Sequence, residues 1–166
     1  MEAGASSFGC RIRSARGDAK SGGTGLNYAE HAGDLKETAP SEEPASFMRP
    51  DATMIGLGEE IYPSEQLEKV TGEAEPCLVV ESEAKDAPEE EAPSVVTGLL
   101  TILDLPAEDT LCKNPRYLTR QGFGTFFRLG SQLVPLDGVV EIEDLTVATV
   151  LNSETRRENV VSKIMF

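Results

Sequence analysis

Acidic charge in this chain is gathered into one block, and that limits how much of the chain can collapse on itself. Residues 30–109 carry 21 acidic and four basic groups. Residues 1–29 carry two acidic and four basic groups, and residues 110–166 six and seven. The formal net charge of −14 therefore comes from the middle of the chain. Like charges at this density repel one another in any compact state. The side chains that would offset such repulsion are scarce: aromatics are 5% of residues and Trp is absent. Glycines and prolines, 15 and 10 of them, add backbone entropy or interrupt regular structure. Low aromatic content with high net charge predicts a chain that is mostly intrinsically disordered. A small, marginal α+β or β-rich unit is expected at its C-terminal end.

The boundary is placed near Pro93. Residues 1–93 are read as a disordered Gly/Ser/Pro-containing and acidic segment, and residues 94–166 as a small apolar C-terminal region. Pro63 followed by Ser64 to Val70 gives at most a short helical turn. Residues 95–105, VVTGLLTILDL, form a nearly continuous apolar run of strand length, closed by Pro106. Asp137-Gly138 is a turn signal. Residues 139–151, VVEIEDLTVATVL, are rich in Val and Thr and predict a strand. Residues 153–165 predict a short terminal helix, capped by Asn152 or Ser153, with Val160, Val161, Ile164 and Met165 apolar. Two or three short strands and this helix make up the expected unit.

Catalysis is not expected. The single histidine, His31, lies in a polar Gly- and Ala-containing stretch with nothing in the sequence to orient it. Gly22-Gly23-Thr24-Gly25 resembles a fragment of a phosphate loop but lacks the lysine such a loop uses. Cys10, Cys77 and Cys112 are odd in number and far apart, which gives neither a disulfide framework nor a zinc site. No cofactor or metal is expected. No apolar run approaches the roughly 18–20 residues that span a membrane. An intracellular location, nuclear or cytoplasmic, is expected. The acidic block repels nucleic acid and favours basic partners.

Short segments then carry the functional reading. Arg120-Gln121-Gly122-Phe123-Gly124-Thr125-Phe126-Phe127-Arg128-Leu129 resembles the PCNA-interacting peptide, or PIP box, and looks like the clamp-binding segment of the PCNA-associated factor. Phe123 takes the aliphatic fourth position, and Phe126 and Phe127 the aromatic pair. Arg120 stands where that family has glutamine. The resemblance implies a 3₁₀ turn that presents Phe123, Phe126 and Phe127 to PCNA, flanked by Arg128 and Leu129. The same phenylalanines would also serve as the core of the C-terminal unit, and both accounts stand on the sequence.

Leu78 to Glu83, Ile102 to Leu105 and Val139 to Asp144 each resemble a SUMO-interacting motif. Lys163-Ile164-Met165-Phe166 resembles the docking motif of protein phosphatase-1 regulators, and through Ile164 and Phe166 a PDZ ligand. The expectation is a non-enzymatic intracellular adaptor binding protein partners through these segments. Its alternative is a structural subunit whose C-terminal third folds into a larger assembly, such as a cytoskeletal or ciliary one.

Overall fold

The computed structural model describes residues 20–28, 41–113, 122–139 and 141–165, without the side chains of 111–113. Strands dominate throughout this range, including the acidic middle. The expectation of a mostly disordered chain is therefore corrected. Its physical error lay in treating net charge as a property of the whole segment. Within the segment, residues 45–49, 54–55 and 73–80 pair as strands, and Glu73 and Glu75 share their strand with Cys77 and Val79, which pack against the core.

A four-stranded sheet has the order β3–β6–β5–β4. It contains β3 (Met54–Ile55), β4 (Glu73–Val80), β5 (Val96–Asp104) and β6 (Phe127–Pro135). The β3/β6 pair is parallel, and β6/β5 and β5/β4 are antiparallel. Central β5 is the apolar run seen in the sequence, and Leu99, Leu100 and Ile102 are buried. Between Leu100 and Ile102 the pairing with β6 slips: Leu100 faces Leu133, whereas Ile102 faces Leu129. Gly130 lies in this bulge, where an added Cβ would be 2.6 Å from the Thr101 carbonyl oxygen. Glycine is required there by close backbone approach. Met54, Leu100, Ile102 and Phe127 form the core, with Cys77, Val79 and Leu129 packed against it.

Two hairpin-like pairs flank this sheet. In the first, β1 (Ser21–Gly25) is antiparallel to β2 (Ala45–Arg49). The Gly22-Gly23-Thr24-Gly25 run is thus a strand and not a phosphate loop. Phe47 explains its glycines: a Cβ on Gly23 would come within 2.8 Å of the Phe47 ring. In the second, β7 (Thr146–Leu151) is antiparallel to β8 (Glu154–Val160). Asn152 and Ser153 join them with φ of 52° and 66°. Two left-handed residues in a two-residue loop are the hairpin geometry whose twist suits the strands.

This hairpin corrects the terminal helix expected over 153–165. Asn152 is a turn residue and not a helix cap, and only Val161–Lys163 form a 3₁₀ turn. The strand expected from 139 begins later, at Thr146, because Ile142 to Leu145 form a turn closed by the Leu145 N–H on the Ile142 carbonyl at 3.1 Å. The only α-helices among the described residues are two short ones, α1 (Ala92–Val95) and α2 (Glu108–Lys113). The stretch after Pro63 is not helical.

Candidate functional site

The site begins with strand alternation. On β4, Glu73, Glu75 and Cys77 are two residues apart and so point to one face. In the antiparallel register, Glu73 faces Asp104 and Glu75 faces Ile102 on β5, and Asp104 in turn faces Phe127 on β6. Three carboxylates therefore share one face of the sheet, above the apolar floor of Ile102 and Phe127. The β1–β2 pair lies over this face and leaves a cavity of about 740 Å³. Its walls include Glu73, Glu75, Cys77, Asp104, Tyr28, Lys69, Thr71, Glu108 and Arg157. That volume is typical of small-molecule sites.

Cations balance part of this charge. Arg49, at the end of β2, is buried and forms an ion pair with Asp104. Its guanidinium lies 5.0 Å from the centre of the Phe127 ring and 5.8 Å from that of Phe47. The aromatic faces and the carboxylate together compensate a charge that would be costly to bury alone. Arg157, on β8, approaches Glu73 at 3.8 Å. The β7–β8 hairpin is also tied to β4 through the Ala74 N–H, which donates to Thr149 Oγ1 at 2.9 Å.

Tyr28 is buried and bridges to Ile164, while the Met165 N–H donates to the Asn27 carbonyl at 3.0 Å. Burial raises the phenol above its usual range, and the neighbouring Glu75 charge raises it further. Tyr28 is thus a protonated donor at neutral pH. Burial likewise raises the Cys77 thiol, which stays protonated and unreactive as a nucleophile.

Glu73, Glu75 and Asp104 offer oxygen donors only, the chemistry that hard divalent cations take. Among the described residues, no three acidic, histidine or cysteine side chains stand close enough to hold a metal as they are placed. Asp104 is closed on Arg49.

The segments singled out in the sequence lie elsewhere. Phe126 is fully buried, and its ring centre is 5.5 Å from that of Phe123. Phe127 begins β6 and belongs to the core. Thr125, with φ of 68°, turns the chain between Phe123 and Phe126, and its hydroxyl accepts the Tyr62 N–H at 2.9 Å. Arg128 and Leu129 continue β6, half-buried. The PIP-box resemblance is therefore corrected: its aromatic pair is interior packing. Lys163 is exposed and Ile164 half-buried at the bridge to Tyr28. Arg120, Gln121, His31 and Phe166 lie outside the described residues. Among the described residues, no helix is long and apolar enough to cross a membrane.

A strand-lined cavity with carboxylates and cations has the form of a small-molecule site, and comparison with known proteins gives the family. The fumarylacetoacetate (FAA) hydrolase C-terminal family profile matches residues 20–166, and the chain belongs to that family. It is 30% identical over 146 residues to the homoprotocatechuate catabolism bifunctional isomerase/decarboxylase of Escherichia coli, covering 86% of this chain and 33% of that protein. It is 26% identical over 144 residues to the human mitochondrial oxaloacetate tautomerase FAHD2B, covering 86% and 46%. Among solved structures, it is similar to 5-carboxymethyl-2-hydroxymuconate delta-isomerase from Mycobacterium smegmatis. The TM-score is 0.76 at 27% identity, covering 88% of this chain and 57% of that one. The chain spans between a third and two thirds of the length of the curated relatives it matches. The adaptor expectation, and with it the absence of enzymatic character, is overturned by these isomerase, decarboxylase and tautomerase relatives.

Sequence reasoning missed Glu73, Glu75, Asp104, Arg49 and Arg157. Two signals were present. Glu-Ala-Glu at 73–75 opens an apolar strand at a spacing of two, and Asp104 interrupts the end of a buried run.

Proposed function

We propose that this chain carries the substrate cavity of an enzyme that moves a proton at the carbon beside the carbonyl of a small oxo acid. The observation that carries this reading is the placement of Glu73, Glu75 and Asp104 on one face of a cavity whose wall carries Arg157, with the buried Arg49 paired to Asp104. The tautomerase and isomerase relatives support it.

In the forward direction, the Glu75 carboxylate takes the proton from the α carbon, and the electron pair of that C–H bond moves to form the enolate. The oxygen that gains charge needs a donor held in place beforehand. The Tyr28 phenol supplies a hydrogen bond and keeps its own proton. Arg157 orients Glu73 and receives the substrate carboxylate, while Arg49 pairs with Asp104 and fixes its position. The enolate oxygen is protonated by water, and Glu75 returns its proton to solvent. Glu73, Glu75 and Asp104 supply the oxygen donors a divalent cation would take, but as placed they do not come close enough to hold one. Were they to close on such an ion, it would supply Lewis acidity toward the carbonyl.

The test is the rate at which enol oxaloacetate loses its ultraviolet absorbance in the presence of the full chain, with and without Mg²⁺. Acceleration above buffer is expected, with a loss of about a hundredfold or more in Glu75→Gln, within the range general-base catalysis supplies. No acceleration in either condition would remove the proposal.

A further inference from the structure

At the mouth of the cavity, two chain segments are laced together by their backbones. The Glu108 N–H donates to the Lys69 carbonyl at 3.2 Å, and the Thr71 N–H to that of Pro106 at 3.3 Å. Val70 and Ala107 form an antiparallel bridge between these bonds. The side chains then close a second ring of contacts. Lys69 Nζ donates to Glu108 Oε1 at 2.6 Å, and Thr71 Oγ1 to Glu108 Oε2 at 2.5 Å. Lys69, Thr71 and Glu108 all line the cavity.

The exposures of the two charged partners differ. The Glu108 side chain is 18% exposed and that of Lys69 is 65%. A carboxylate gripped at both oxygens is therefore holding an ammonium out at the opening. An ammonium carries three donors, and Glu108 Oε1 takes one. An ordinary surface lysine must give up much rotamer freedom to bind an anion. Lys69 has already given up part of it, because Glu108 fixes its head group and the backbone lacing fixes its stem.

Charge adds an independent constraint. Glu73, Glu75, Asp104 and Glu108 make the cavity wall repel an anionic ligand, so its carboxylates need cations. The cationic side chains on the wall, among the described residues, are Arg157 and Lys69. Arg157 lies beside Glu73, at the carboxylate face where the chemistry is placed. Lys69 lies beside Glu108, at the mouth.

We infer that Lys69, positioned by Glu108 and Thr71, anchors the carboxylate at the far end of the substrate and sets the preference for oxo acids with two carboxylates over those with one. This rests on the reading of the cavity as an oxo-acid site, and it names the residue that discriminates within it. Glu108 is a positioning residue; Lys69 makes the contact. Loss of one charge-assisted contact of this kind is expected to weaken binding about tenfold to a hundredfold.

The test compares oxaloacetate with phenylpyruvate, which has a single carboxylate, by enol kinetics and by calorimetric titration of the full chain. Lys69→Met is expected to raise KM and Kd for oxaloacetate about tenfold or more, with kcat changed less than about threefold. Its values for phenylpyruvate are expected to stay at wild type. Lys69→Arg is expected to restore most of the affinity, and Glu108→Gln to lose part of it. Equal effects of Lys69→Met on both acids, or none on either, would overturn the inference. So would a wild-type chain that binds no oxaloacetate. Oxaloacetate binding that depends on Lys69 without any turnover would keep the anchor and sink the enolisation reading instead.

Discussion

Two acidic stretches lie within twenty residues of each other and behave in opposite ways. Glu73 and Glu75 open β4, half-buried, and face a cavity among cations. Glu81, Glu83, Glu89, Glu90 and Glu91 follow the same strand and are all exposed. The residue type is the same, and the count is greater in the second stretch. What separates them is what each carboxylate meets. The first two alternate with Ala74 and Pro76 on a paired strand and are opposed by Asp104 and Ile102. The others occupy a connection between β4 and β5, where water solvates them. Charge number therefore says little about whether an acid belongs to a tether or a site; register across a sheet decides it.

This contrast can be strained from the site side first. Arg49 is buried with Asp104, and removing one member of a buried pair leaves the other charge uncompensated. Arg49→Met is expected to destabilise the fold by about 3–5 kcal/mol, read by urea denaturation. Adding Asp104→Asn to it is expected to recover a substantial part. A loss below about 1 kcal/mol would mean that this end of β5 does not depend on the pair.

A smaller effect is expected where β7 meets β4. Thr149→Val keeps the shape of the side chain but removes the acceptor for the Ala74 N–H. A cost of about 1–2 kcal/mol is expected, since a half-buried donor loses its partner. Thermal denaturation of the variant checks it. The smallest effect belongs to the exposed acids: Glu89, Glu90 and Glu91 together changed to Gln are expected to shift stability by no more than about 0.5 kcal/mol.

The sequence was legible where burial was two-sided and continuous. The apolar run of 95–105 holds β5, and β-branching with strand length was enough to read it. The phenylalanines were legible as a group, and the account that placed them in a core describes Phe126 and Phe127. That core is built jointly with Met54, Leu100 and Ile102 from far apart in the chain. The small-unit reading had no means to count such partners. At 153–165 the apolar positions suggested a helix, yet Asn152 and Ser153 are residues that tolerate left-handed backbone, and the hairpin they make won. The site was the least legible part. Glu73, Glu75 and Asp104 are joined only by strand register, Arg157 by the packing of the β7–β8 hairpin against β4, and Arg49 by the β1–β2 pair. Each in isolation is one charged residue in a charged sequence. Glu-Ala-Glu ahead of an apolar strand was the available signal, and net charge obscured it.

The contrast between the two acidic stretches is tested most directly by measuring enol oxaloacetate turnover for two variants beside wild type, with folding checked by circular dichroism. Glu75→Gln is expected to remain folded and to lose about a hundredfold or more in rate. The triple change of Glu89, Glu90 and Glu91 to Gln is expected to keep the wild-type rate. Equal activity in Glu75→Gln and wild type, or an equal loss in both variants, would contradict the assignment of the chemistry to the β4 face.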